Sequence, residues 1–278
     1  MFRGFYTVAT GMIAQQRRTE LLTNNLSNAN TPGFKADQST IRSFPDMLLS
    51  SINNTNIPTE NGLGFQTSNT IGALNTGVYM QETLPNYTQG QIYETGIATD
   101  MSLIDGSLPI DQESGQAGTV FFRLEHPAGG EAYTRNGNFT LDGQGYLVNT
   151  QGLYVLSDEG QRIQLQNDDF SVSPEGFITV NDQAVARVGV SYSATPSALK
   201  KEDNGLIRTA DGATLPTAYG EAGVSFGFQQ KYLEGSTVDS ARSMTDLLTA
   251  YRAFEANQKI LQAYDRSMEK AVNEIGKV

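Results

Sequence analysis

The sequence predicts a fold that is mainly β with terminal α: a central all-β domain flanked by N- and C-terminal helices that pair as a coiled coil. Three observations predict it. Residues 1–30 and about 236–277 carry helical hydrophobic periodicity. Between them lie short β-like runs punctuated by Gly, Asn and Pro. The charge of −11 is also unevenly spread. Residues 1–45 hold five basic and two acidic residues, residues 231–278 hold seven of each, and residues 46–230 hold seven basic against twenty-one acidic. Near-neutral ends suit packing against other helices, and an acidic middle suits solvent. The expected segments are a helical piece at 1–35, an extended connector at 36–77, a β-domain at 78–230 and a long helix at 231–278.

In the first segment Phe2, Phe5, Tyr6, Val8, Ala9, Met12 and Ile13 recur at spacings of three and four, one face of a helix. Gly4 and Gly11 weaken it by about 1 kcal/mol each relative to Ala. The stripe resumes at Leu21, Leu22 and Leu26. Asn24, Asn25, Asn28 and Asn30 then compete for backbone groups, and Pro32-Gly33 enforces a turn. The helix should end near residues 28–30. Residues 36–75 are ambiguous: Ile41, Phe44, Met47 and Leu48 have a short helical spacing broken by Pro45, while residues 51–77 are rich in Asn, Thr and Gly, and the stretch reads as an extended connector with one or two strands.

From about residue 78 the pattern is β. Asn136-Gly137 between aromatic-bearing flanks is a hairpin signal. Asp142-Gly143-Gln144-Gly145 and Pro174-Glu175-Gly176 mark two more turns, and Val185–Tyr192 alternates as one strand. Turns about ten residues apart are the cadence of a barrel or sandwich. The Gly-, Ala- and Thr-rich stretch 200–230 reads as leading out of this body. The last helix is the clearest element. Met244, Leu247, Tyr251, Phe254, Gln258, Leu261, Asp265, Met268, Val272 and Ile275 step by three and four throughout, a heptad seam. Ser240 or Ser243 caps its start and Gly276 its end. Polar Gln258 and Asp265 on the seam are suited to fixing register.

The chemistry points away from catalysis. The chain has no Cys, so disulfides, thiolate nucleophiles and Cys-based zinc sites are excluded. His126 is the one histidine and sits in a loop-like Glu125-His126-Pro127 context without a nucleophile elbow. Acidic pairs such as Asp158-Glu159 and Asp168-Asp169 are what an acidic chain produces by chance. There is no P-loop, dinucleotide fingerprint or calcium loop. No cofactor, metal, nucleic acid or small-molecule ligand is expected. No apolar run reaches the length of a membrane span, and the N-terminus lacks the pattern of a cleaved secretory signal.

Three stretches also resemble a known family. Asn24-Asn25-Leu26-Ser27-Asn28-Ala29-Asn30-Thr31-Pro32-Gly33-Phe34-Lys35 resembles the N-terminal motif of flagellar basal-body rod and hook proteins. Leu233-Glu234-Gly235-Ser236-Thr237-Val238-Asp239, followed by 244–259, resembles their C-terminal motif. Residues 132–148 are similar to the β-domain hallmark of the distal-rod type, and the Asn/Thr connector looks like Gram-positive variants. Thr237 stands where the family commonly has Asn, and where it often has Gly-Asp-Gly-Phe-Phe this chain has Ile104-Asp105-Gly106-Ser107-Leu108-Pro109, with an insertion-like segment at 107–118 before Phe121-Phe122.

The resemblance implies a structural, non-enzymatic subunit of a helical rod. Its terminal helices would form the inner wall and its β-domain would face outward. Its partners would be like copies, other rod and hook proteins and the flagellar export apparatus. It would lie in the basal body, exported without a cleaved signal. The expected assembly residues are Phe5, Tyr6, Ala9, Met12, Ile13, Leu22, Leu26, Met244, Leu247, Tyr251, Phe254, Leu261, Met268, Val272 and Ile275. The motif residues are Asn24, Asn25, Asn28, Asn30, Thr31, Gly33 and Phe34. An assembly accessory with the same ends, a hook-type axial protein and, remotely, a secreted cell-wall enzyme are the competing readings.

Overall fold

A computed structural model describes residues 2–56, 64–111, 115–167, 169–181, 183–202 and 205–275. It is mainly β, with one helix at each end. Helix α1 spans Phe2–Ser27 and stops where the Asn-rich run begins to compete for its backbone. Strands β1 (Asp37–Ser43), β2 (Met47–Asn56), β3 (Gly64–Leu74) and β4 (Val78–Pro85) follow. Next come β5 (Ile92–Glu94), β6 (Met101–Asp105), β7 (Thr119–Glu125), β8 (Glu131–Thr134), β9 (Phe139–Leu141) and β10 (Leu147–Asn149). The series continues with β11 (Ser171–Val172), β12 (Phe177–Val180), β13 (Gln183–Arg187), β14 (Val190–Ser193), β15 (Leu199–Lys201), β16 (Ile207–Thr209), β17 (Phe226–Gln230) and β18 (Tyr232–Glu234). Helix α2 spans Ser240–Lys270 and widens into a π-helical turn over Ala271–Ile275. The expected stop at Gly276 lies outside the described residues.

The chain divides into two units. The first comprises 1–24, 38–83 and 241–278. In it α1 and α2 pack together. A Cβ on Gly4 would run into the Tyr264 hydroxyl, and one on Gly11 would stand 3.2 Å from the Asn257 amide nitrogen. Gly11 comes seven residues after Gly4, and Asn257 seven before Tyr264, so the helices run antiparallel. The two glycines that weaken α1 locally are therefore the places where α2 side chains seat on its backbone. β1 pairs with β4, and β2 with β3 antiparallel from Met47↔Leu74 to Asn56↔Gly64. The Val78 N–H donates to the Thr10 hydroxyl at 3.4 Å, which ties α1 to β4.

The second unit comprises 25–37 and 84–240. Its largest sheet has the order β14-β7-β8-β16-β15, and its smaller ones are β11-β12-β13, β9-β10, β6-β17 and β5-β18. The core lies under β7: Val120, Phe122 and Leu124 are fully buried with Met101, Leu103, Phe139, Leu147 and Ile178. Phe122 meets Phe139 edge-on at 5.1 Å.

Three local expectations are corrected here. Asn136-Gly137 is not a hairpin turn, because β8 and β9 belong to different sheets. The reason is close approach: the Met101 N–H donates to the Gly137 carbonyl at 3.0 Å, and a Cβ on Gly137 would run into the Met101 carbonyl. The true hairpin is the next one, where Asp142-Gly143-Gln144-Gly145 joins β9 to β10 in register Leu141↔Leu147. Residues 185–192 form two strands, not one. Gly189 is pressed against the Leu156 and Ser157 carbonyls, and β14 leaves for the larger sheet. Residues 200–230 do not leave the body: β15, β16 and β17 are integral to it, with Leu206, Ile207, Ala218 and Phe228 buried. Their few large residues are widely spaced, which is why no periodicity marked them.

Candidate functional site: a buried ion network where three motifs meet

Lys35 lies just before β1, Arg135 just after β8, and Glu234 ends β18. Their side chains are 4%, 1% and 1% exposed, so each charge must be matched inside the protein. Glu234 provides the match. Its Oε1 accepts from Lys35 Nζ at 2.7 Å and from the Gly90 N–H at 2.7 Å, and its Oε2 accepts from Arg135 Nε at 2.6 Å. The remaining guanidinium donors reach Asp105 Oδ1 at 2.7 Å and the Val120 carbonyl at 2.7 Å. Lys35 also donates to the Thr88 carbonyl at 2.7 Å. Two cations thus meet two carboxylates, with backbone carbonyls taking the spare donors.

Backbone pairing holds the same strands together. The Gly33 N–H donates to the Glu234 carbonyl at 2.8 Å, and the Thr237 N–H to the Phe34 carbonyl at 3.0 Å. The Thr237 hydroxyl accepts the Ala36 N–H at 2.9 Å, so the residue that departs from the family pattern still caps this contact. Gly33 has φ +68, and a Cβ there would meet the Arg135–Asn136 peptide at 2.5 Å. Asn25 and Asp37 bond reciprocally, its amide to the Asp37 carbonyl at 2.8 Å and the Asp37 N–H to its oxygen at 3.0 Å. Lys201 sits 3.8 Å over the buried Phe34 ring and 3.2 Å from Asp37.

Burial pushes the Lys35 ammonium below its ordinary value, with Glu234 opposing only in part. Burial alone would raise the Glu234 carboxyl, but Arg135 and Lys35 outweigh it and hold it below the carboxylate range. A carboxyl depressed on folding contributes stability that is complete above its unfolded value near 4.5 and is lost as pH falls through the folded value. Thermal melts between pH 7 and pH 3 should therefore show the midpoint holding above about pH 5 and falling below about 4.5. A flat profile across that window would contradict this assignment.

Of the sequence-predicted motif residues, Asn25 and Phe34 are buried, Asn28, Thr31 and Gly33 are half-buried, and Asn24 and Asn30 are exposed. On α1, Leu22 is buried, Phe5, Ala9, Met12 and Leu26 are half-buried, and Tyr6 and Ile13 are exposed. On α2, Leu247, Phe254, Leu261 and Met268 are half-buried, while Met244, Tyr251 and Val272 are exposed. The Ile275 side chain lies outside the described residues. The ion network is what sequence reading missed. The signal was available: each of the three motifs carries a charged residue amid polar and apolar neighbours. His126 lies between β7 and β8; its Nδ1 accepts the Ala128 N–H at 3.1 Å, and its Nε2 lies 3.3 Å from Glu202. Among the described residues no cluster of acidic and histidine side chains is arranged to hold a metal. No described helix is long and apolar enough to cross a membrane.

Three family models match in chain order: flagella basal body rod protein over residues 5–35, the flagellar hook protein FlgE/F/G D1 domain over 117–180, and the flagellar basal body rod FlgEFG protein C-terminal over 229–274. The flagellar hook-basal body complex protein FlhO of Bacillus subtilis is 43% identical over 279 residues, covering 100% of both chains. This chain belongs to the flagellar basal-body rod and hook family. The flagellar basal-body rod protein FlgG of Caulobacter vibrioides is 31% identical over 95% of each chain, and that of Bacillus subtilis 29% over 98% and 99%. The family consists of structural proteins of the flagellar axis. Lys35, Arg135 and Glu234 fall one in each matched segment, so the buried network joins the three matched segments at a single point.

Proposed function

We propose that this chain is a subunit of the flagellar rod, of the distal type. It polymerises with like copies into a helical tube that transmits torque and encloses the export channel. Residues 1–35 and 231–278 form the inner coiled-coil wall, 78–230 the outward β-domain, and 36–77 the link between them. Other rod and hook proteins adjoin it, and the flagellar export apparatus delivers it. One observation carries this reading: α2 runs for 31 residues, yet Ala250 is the one buried residue it contributes among those described. A helix so incompletely covered needs neighbours.

The test is deletion of residues 244–278. Incorporation into basal bodies and swimming should both be lost, while the β-body keeps its circular dichroism. Normal swimming after the deletion would overturn the proposal. A second reading, a junction subunit between rod and hook, draws on the name of the 43% identical relative, a hook-basal body complex protein. Copy number in purified basal bodies separates the two: a few copies favour the junction, tens favour the rod.

A further inference from the structure

The apolar stripe of α2 is wide enough for two partners, and α1 covers only one side of it. The covered row is Ser243, Ala250, Asn257, Tyr264 and Ala271, each buried or half-buried. The shared row is Leu247, Phe254, Leu261 and Met268, half-buried throughout. Beyond it lies a third row that α1 does not cover, with Met244 48%, Leu248 47% and Tyr251 58% exposed. α1 has its own uncovered pair, Tyr6 at 63% and Ile13 at 50%. Because the helices are antiparallel, with Gly4 at Tyr264 and Gly11 at Asn257, Tyr6 stands level with residue 262 and Met244 level with residue 24. The two patches therefore lie in opposite halves of the helix pair, with Tyr6 and Met244 about 27 Å apart along it and Ile13 and Tyr251 about 6 Å apart. They do not cover each other within one chain: all four side chains remain exposed.

We infer that the Tyr6–Ile13 patch on α1 of one copy docks, parallel, on the Met244–Tyr251 patch on α2 of the next. This inference rests on the rod reading and names its contact. The spacings agree: Tyr6 and Ile13 are seven residues apart, as are Met244 and Tyr251, so both ride on one heptad seam. The charges agree as well. Arg17 lies four residues beyond Ile13 and Glu255 four beyond Tyr251; both are exposed, and Glu255, which pairs with Lys259 along its own helix at 2.8 Å, keeps a second carboxylate oxygen for a facing cation. The contact uses different patches on its two sides. Repeated from copy to copy it does not close, and it generates an open helical filament.

The chain has no cysteine, which makes the test clean. Tyr6→Cys with Met244→Cys is expressed in cells lacking the native protein, and their basal bodies are purified and oxidised. A disulfide needs Cα atoms within about 7 Å, so the separation inside one chain forbids an internal bridge. The expected result is a non-reducing ladder of dimers, trimers and larger species, absent from either single variant. Basal bodies that contain the double variant only as monomer would overturn this docking and leave the rod reading standing. Absence of the native chain from basal bodies would overturn the rod reading itself, and the docking with it. Where the cysteines impair assembly, charge exchange decides. Arg17→Glu and Glu255→Arg should each reduce incorporation about tenfold, and the double exchange should restore it; a double variant no better than the poorer single one overturns the docking.

Discussion

Replacing Glu234 by alanine is expected to cost about 3–5 kcal/mol of stability, because it leaves buried cations without their counter-charge. Lys35 would keep only the Thr88 carbonyl as a partner. Arg135 would keep Asp105 and two carbonyls. The Gly90 N–H would lose its acceptor as well. The measurement is urea unfolding of the purified chain, followed by β-sheet circular dichroism, comparing midpoints at unchanged slope. Glu234→Gln should recover part of the loss, since it retains shape and one acceptor. The most informative comparison removes the network as a whole. Lys35→Met, Arg135→Leu and Glu234→Leu together should cost less than Glu234→Ala alone, because apolar replacement of a complete buried ion cluster is often close to neutral. A Glu234→Ala protein within about 1 kcal/mol of native would show that water reaches these charges.

Gly33→Ala is expected to cost about 2 kcal/mol or more. The left-handed backbone alone costs about 1–2 kcal/mol for an L-residue, and the new methyl would press on the Arg135–Asn136 peptide, which is backbone and cannot swing aside. The Gly33 bond to the Glu234 carbonyl lies in the same place, so the displacement loosens the network's own frame. Gly152→Ala is the matched control. It has φ +80 with open space around it, so it carries the backbone penalty without the collision. Chemical unfolding of both variants separates the two effects. Equal losses at Gly33 and Gly152 would mean that the contact with Arg135 is slack.

The two helices were legible because their signal is local. Periodicity of three and four marks a helix whatever it packs against, and the Asn-rich run with Pro32-Gly33 stops α1 by competing for its own backbone. Asp142–Gly145 was legible for the same reason. Asn136-Gly137 misled because its hairpin signature is equally local, while the outcome was decided by Met101, thirty-six positions before Gly137. Residues 200–230 misled in the opposite sense: their strands are short, and their pairing comes from β8 and β6. On α2 the sequence specified a stripe, but not which side of it α1 would take.

From the sequence by itself came the class of fold, the two terminal helices, the absence of thiol chemistry, and the three motifs with their order along the chain. All of these depend on composition or on neighbours a few residues apart. Only the tertiary structure decided that Lys35, Arg135 and Glu234 share one buried site. Lys35 and Glu234 are 199 residues apart, and their 2.7 Å contact exists only once β5, β6, β8 and β18 have set their backbones. It also decided that the apolar patches on α1 and α2 end up in opposite halves of the pair. Helix direction is a long-range property, set here by where Tyr264 and Asn257 seat on Gly4 and Gly11. Charge and periodicity can be read along a chain, but partnership is settled by geometry between segments that the chain itself holds far apart.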